Sequence, residues 1–270
     1  MGEGMDTDAA IFPFISSANI ACGYHAGDES TMRRAVEWAL HHHVAIGAHP
    51  SYPDGIHFGR IDLLDSAPGK GDRSLRYEDL TGMLYQQLDR LQKICHELGT
   101  GLQHVKPHGA LYNRAAKDPE VSDLICQSIA GFDPSLLLYG LSGSEMKKAA
   151  DRYGLSFVSE VFADRTYRQD GSLTPRSEPD ALIDNPDLAV RQVTKMIREG
   201  RVEVAAPSPK TADILPTMAG PAPLEIPILA ETVCIHGDGA HAVEFARMIH
   251  GALLADGLVL QQPLRTRQRK

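Results

Sequence analysis

The sequence predicts an α/β fold, a (β/α) barrel built on a parallel sheet, and three observations lead there. Short apolar runs recur, each followed by a Gly, His or Asp cluster and then by a segment of helical period, which is the βαβα order of a parallel sheet. The 270 residues suit one large (β/α) domain. A composition 43% hydrophobic and 23% charged supports one sizeable core and excludes a disordered or fibrous chain.

Six runs read as strands. Asn19 to Cys22 precedes Met32, Ala35, Val36, Ala39 and Leu40, spaced as one face of a helix, with Asp28 placed to cap its free N–H groups. Val44 to Ala48 leads into Pro50 to Arg76, an excursion rich in Gly, Pro and Asp, with an expansion around Leu63 to Arg76. The stripe of Leu80, Leu84, Leu88, Leu91, Cys95 and Leu98 then stops at Gly99. Leu102 to Val105 is the third strand, followed by a helix through Val121, Leu124, Ile125 and Ile129. Leu136 to Leu141 is the fourth, where Ser142 and Glu145 have capping-box spacing for a helix that Gly154 ends. Phe157 to Phe162 is the fifth, and Asn185-Pro186 starts a helix carrying Val190, Val193 and Ile197. Thr232 to Ile235 is the sixth, and Asp238 is expected to open a last helix through Val243, Ala246, Ile249 and Leu253. Val202 to Pro227 holds six prolines and no sustained period, so it reads as a loop. The expected organisation is one domain over residues 1–258, with the Pro-rich excursion at 202–227 and a basic tail at 259–270.

Charge narrows the partners. Twenty-seven Lys plus Arg against 35 Asp plus Glu give a formal charge of −8, which repels nucleic acid. The one basic cluster, Arg265, Arg267, Arg269 and Lys270, reads as a solvated terminus. Cys22, Cys95, Cys126 and Cys234 are far apart and are expected as free thiols in a reducing compartment. Neither a membrane span nor a signal peptide is legible, so the cytoplasm is the expected location.

In parallel α/β folds ligands bind at the carboxyl ends of the strands. That rule gathers His25, His49, Lys106, His108, Asp164, Arg165, His236 and Asp238 at one rim, four of the twelve histidines among them. Imidazoles with carboxylates, a Lys and an Arg form a set able to move protons or hold a metal. If a divalent metal binds, His25 and His49 are the expected ligands, since neutral imidazoles suit such an ion. Lys106 either titrates low and exchanges protons or forms an ion pair with Glu160 or Asp164. Arg165 and Arg176 offer forked donors for a carboxylate or phosphate, and Cys22 and Cys234 read as packing residues. No Gly-x-x-x-x-Gly-Lys-Ser/Thr loop occurs; a nucleotide would need another cradle, such as the helix start at Gly143-Ser144.

Five segments carry a family resemblance: Ser17 to Asp28 (SANIACGYHAGD), Ala45 to Asp54 (AIGAHPSYPD), His104 to Asn113 (HVKPHGALYN), Glu160 to Arg165 (EVFADR) and Cys234 to Asp238 (CIHGD). Together, and in this order, they resemble the motifs of the LamB/YcsF lactam-utilisation family, whose members are also known as the A subunit of 5-oxoprolinase. The resemblance implies a (β/α) barrel of the glycoside hydrolase/deacetylase type, often seven-stranded. It also implies ATP-dependent opening of 5-oxoproline to L-glutamate together with B and C subunits, with Mg²⁺ as the counter-ion of ATP. For that activity the rim residues of this chain are expected to divide as Lys106, His108, Glu160, Asp164 and His236 in catalysis and Asn19, His25, His49, Arg165, Arg176 and Asp238 at the substrate. Family members begin with a strand ending in a pattern like Asp-Leu-Asn-x-Asp-x-Gly-Glu. Here the chain starts at Met1-Gly2-Glu3, so that strand and its carboxylate are expected to be missing, leaving an open edge. Two other readings of the rim stand beside this one: a metal-dependent amide or acetyl hydrolase without ATP, and a lactam-binding subunit with no turnover of its own.

Overall fold

Strands that carry apolar side chains on both faces need cover on both sides, and here a parallel sheet with helices outside it provides that cover. In the computed structural model, which describes residues 1–5, 7–64, 74–205, 224–239 and 241–264, all six predicted strands are present. They are β1 (Ser17–Ala21), β2 (Ala45–His49), β3 (His104–Val105), β4 (Leu137–Leu141), β5 (Phe157–Phe162) and β8 (Thr232–Cys234). They hydrogen-bond in the order β1-β2-β3-β4-β5-β8, every pair parallel, and curl into a half-barrel surrounded by helices.

The main helices are α2 (Glu29–His41), α3 (Tyr77–Glu97), α5 (Pro119–Phe132), α6 (Glu145–Tyr153), α7 (Pro186–Glu199) and α8 (Ala242–Ala255). Their apolar stripes, among them Met32, Val36, Leu84, Leu88, Ile125, Ile129, Met146 and Val193, are buried in one continuous core against the outer face of the sheet. Asp28 caps α2 by accepting from Thr31 N, and Asn185 caps α7 by accepting from Asp187 N and Leu188 N, as the sequence predicts.

Two helix starts differ from expectation. Ser142 is not a cap: α6 begins after Ser144, and the Ser142 hydroxyl accepts from Leu229 N instead. Asp238 does not open α8, which begins three residues after Gly239; its carboxylate accepts from Arg60 instead. Two short helices have no legible signal in the sequence, α1 (Asp8–Ile11) and α4 (Gly109–Ala115), both too short for their period to register.

The Pro-rich excursion is not loop throughout. Its ends form an antiparallel pair, β6 (Arg201–Glu203) with β7 (Glu225–Pro227); residues 206–223 between them lie outside the described residues, as do 65–73 of the other expansion. The basic cluster of residues 265–270 also lies outside them. Residues just before it are anchored: Gln262 donates to His43 O, and Gln103 donates to Pro263 O.

As expected, no further strand pairs with β1 among the described residues, and the sheet ends at β1 and β8; a single residue, Met1, bonds along the β1 edge. Met1 N donates to Asn19 O and Met1 O accepts from Ala21 N, the pattern of a parallel neighbour of β1. From there the chain crosses toward β8: Ile11 packs with Ala242 and Ala246 of α8, Thr7 donates to Gly237 O, and His250 donates to Phe14 O. No helix among the described residues is long and apolar enough to cross a membrane.

Candidate active site

Because all six strands run the same way, their carboxyl ends deliver side chains to one rim. There a cleft of about 910 Å³ opens. Every residue the sequence assigns to the site lines it except His25 and Asp164, each of which stands behind a lining imidazole.

One wall is built from histidines. His49 ends β2, and its Nδ1–H donates to Lys106 O at 2.6 Å. His108 starts α4, and its Nε2–H donates to Phe58 O at 2.9 Å. Phe58 itself takes a positive φ of 58°, a costly conformation for a bulky residue that aims this carbonyl. The remaining nitrogens, His49 Nε2 and His108 Nδ1, face each other at 3.0 Å. His25 stacks on His108 with ring centroids 3.9 Å apart, and its Nε2 lies 3.4 Å from a Glu3 carboxylate oxygen. Burial and the neighbouring positive groups push His49 well below its usual range, and burial with His25 beside it pushes His108 down to about 3, so both rings are neutral at pH 7.

Two corrections follow. The expected loss of a carboxylate near these histidines does not occur, since Glu3 supplies one. The expected metal pair His25 and His49 is not the convergent set; His25 is turned to stack, and the donors that meet within 4.8 Å of one another are Glu3, His49 and His108.

The opposite wall holds a buried ion pair. Lys106 Nζ lies 2.6 Å from Glu160 and donates to Cys234 Sγ at 3.0 Å, while the Tyr112 hydroxyl donates to the other Glu160 oxygen at 2.8 Å. Burial alone would lower the ammonium, but Cys234 and Glu160 beside it hold it above its usual range. Lys106 is therefore a fixed cation, and of the two readings of this residue the ion pair with Glu160 is the one found. Cys234, buried and with its thiol pushed up to about 12, stays protonated and inert.

His236 and Asp164 form a second acid–imidazole unit, in which His236 Nδ1–H donates to the carboxylate at 2.8 Å. That fixes the tautomer and turns the basic Nε2 away from Asp164. Arg165 is a correction to the substrate assignment: it is buried, and its guanidinium donates to the carbonyls of Ala181 and Thr174, which shapes the loop after β5. Arg176, exposed at the mouth, remains suited to an anion. Asn19 accepts from His104 Nε2, and Asp238 accepts from Arg60 at 2.7 Å, so both position neighbours as they line the cleft. Glu3, Phe58, Arg60 and Tyr112 join the site without having been expected there. Tyr112 carries a signal in the sequence, lying one helical turn beyond His108, and Gly2-Glu3 matches the closing Gly-Glu of the family's opening pattern.

A parallel (β/α) half-barrel whose strand ends gather imidazoles, carboxylates and a fixed ammonium around one cleft has the layout of a small-molecule enzyme. The chain belongs to the LamB/YcsF family, whose model matches residues 1–268. It is similar to a Bacillus cereus (strain 03BB102) protein named as the A subunit of 5-oxoprolinase, 44% identical over 260 residues that cover 96% of this chain and 92% of that one. It also superposes on the crystal structure of a lactam utilization protein from Thermus thermophilus with a TM-score of 0.80 and 35% identity, covering 96% of this chain and 93% of that one.

Proposed function

We propose that this chain opens 5-oxoproline, or a closely related small lactam, to the ring-opened amino acid, which is L-glutamate for 5-oxoproline. It would do so in the cytoplasm as the A component of an ATP-dependent 5-oxoprolinase that also contains B and C subunits. The observation that carries the reading is the pairing of a fixed buried ammonium with an aspartate-held imidazole at one cleft, in a chain 44% identical to a protein bearing that name.

A lactam carbonyl is a poor electrophile because nitrogen donates into it, so coupling to ATP and its Mg²⁺ supplies the drive. In the net reaction the ring C–N bond breaks, a C–O bond to water forms and the nitrogen gains a proton. His236, with Nδ1–H committed to Asp164, has Nε2 free to take the proton of the attacking water and return it to the leaving nitrogen. Lys106 has three N–H donors; Glu160 and Cys234 engage two, leaving the third for a ligand oxygen that gains negative charge. Arg176 suits the substrate carboxylate.

Most of the cationic donors of this cleft are already engaged within the protein. Lys106 is paired with Glu160, Arg60 with Asp238 and Arg114 with Asp118, while Arg165 donates to carbonyls. Activation by ATP is assigned to the assembled enzyme, and no step at this cleft is routed through the nucleotide.

The test is glutamate release from 5-oxoproline by this chain with its B and C subunits, with and without ATP. ATP-dependent release supports the reading. Binding of the lactam by the assembled enzyme without turnover favours a binding role, and no binding at all removes this substrate.

A further inference from the structure

The contact between His49 and His108 poses a chemical problem that the lactam reading does not solve. In a neutral imidazole one nitrogen carries the proton and the other a lone pair. A carbonyl oxygen can only accept, so the bonds to Lys106 O and Phe58 O place the protons of these two rings on His49 Nδ1 and His108 Nε2. The two nitrogens left over are both lone pairs, and they face each other at 3.0 Å. Two acceptors at that distance repel unless something positive lies between them.

We infer that Glu3, His49 and His108 form a binding site for one divalent first-row transition ion of the Zn²⁺ type, held by His49 Nε2, His108 Nδ1 and a Glu3 carboxylate oxygen. All three donor atoms lie within 4.8 Å of one another. A shared proton would satisfy two of them, whereas a cation satisfies all three. Two imidazoles and a carboxylate are the donors such an ion takes, and they discriminate against Mg²⁺ and Ca²⁺, which prefer oxygen throughout. Each imidazole donates its other N–H to a backbone carbonyl, the outer arrangement that fixes tautomer and orientation in metal-binding histidines. His25 adds to it by holding Glu3 from behind while stacked on His108. The local backbone is shaped for this packing: a Cβ on Gly59, whose φ is +64°, would lie 2.2 Å from Ser51 Oγ and 3.0 Å from both His108 Cδ2 and His25 Cβ. All three donor residues line the cleft, so an ion held there would offer Lewis-acid polarisation of a ligand oxygen. The inference concerns the chain's own donors and stands whether or not the ligand is a lactam.

The experiment is titration of chelator-treated protein with Zn²⁺ by calorimetry and with Co²⁺ by visible absorption, with elemental analysis after dialysis. The expected result is one equivalent per chain, a Co²⁺ spectrum of a four- or five-coordinate ion, and at least tenfold weaker binding in Glu3→Gln, His49→Gln and His108→Gln. His236→Asn, in the other acid–imidazole unit, should bind as the wild type does. Circular dichroism of each variant separates lost binding from lost folding, and the wild-type stoichiometry is decisive if a variant does not fold. Three outcomes overturn the inference: no stoichiometric uptake by the folded wild type, or uptake that persists in folded His49→Gln and His108→Gln variants, which marks adventitious binding such as by the consecutive His41, His42 and His43. The third is an NMR signal for a proton shared by the two rings that survives excess Zn²⁺.

Discussion

Lys106 and Glu160 are each almost fully buried, so neither charge can be removed without stranding the other. Lys106→Met should destabilise the chain by about 3–5 kcal/mol, and adding Glu160→Gln should recover part of that loss, because the larger cost is an unpaired buried charge. Urea unfolding of the single and double variants measures both, and an additive pair of losses would contradict the ion-pair account. His236 is a different kind of residue, about a quarter exposed at the rim, so His236→Ala should leave the unfolding midpoint nearly unchanged and reduce turnover by about 10²-fold or more in the assembled enzyme. Comparable loss of folding would make its role structural. Asp164 carries a pH signature. Burial alone would raise its carboxyl, but the hydrogen bond from His236 holds it below the usual value. Its contribution to stability is therefore fully present above the unfolded pKa of about 3.9 and is lost as pH falls through the lower folded value. The stability gap between wild type and Asp164→Asn, followed by urea midpoint against pH, should accordingly narrow below about pH 4.

At the scale of elements, β2 and β3 are brought together by an absent side chain. The His104 ring is fully buried, stacks on Tyr139 with centroids 4.0 Å apart and donates to Asn19, occupying the space above Gly47. A Cβ there would sit 2.0 Å from His104 Nε2. Gly47→Ala should therefore cost about 1–3 kcal/mol as an overpacked core and disturb the Asn19 contact as well. Thermal unfolding reads the first effect, and an unshifted melting temperature would show that the ring can move aside. The long helices were legible because each shows its apolar stripe over several turns. Residue 109 onward was not, because seven residues carry barely two turns and the Gly at its start looks like a loop.

For the whole molecule, the Arg60–Asp238 pair ties the loop after β2 to the loop after β8 across 178 residues of sequence. Both partners are partly exposed, so the bridge adds at most about 1 kcal/mol to stability. Its effect should fall on the mouth of the cleft instead: Arg60→Ala is expected to raise KM for the lactam while moving the melting temperature little. A large fall in stability with KM unchanged would assign the pair to the fold alone.

What the sequence determined by itself is the part of the protein written in local pattern. The six strands, their parallel order of use, the main helices and the rim residues follow from periodicity and from the rule that strand ends converge. What the tertiary structure alone decided is pairing. Nothing near Met1-Gly2-Glu3 announces that its carboxylate will meet His49 and His108, residues 46 and 105 positions away, or that Phe58 will lend a carbonyl that fixes a tautomer. Nor does Arg165 in the sequence show that its donors go to backbone carbonyls. Periodicity reports which face of an element is apolar, whereas the state of a buried polar group depends on which partner the fold brings within about 3 Å of it, and that partner belongs to a different part of the chain.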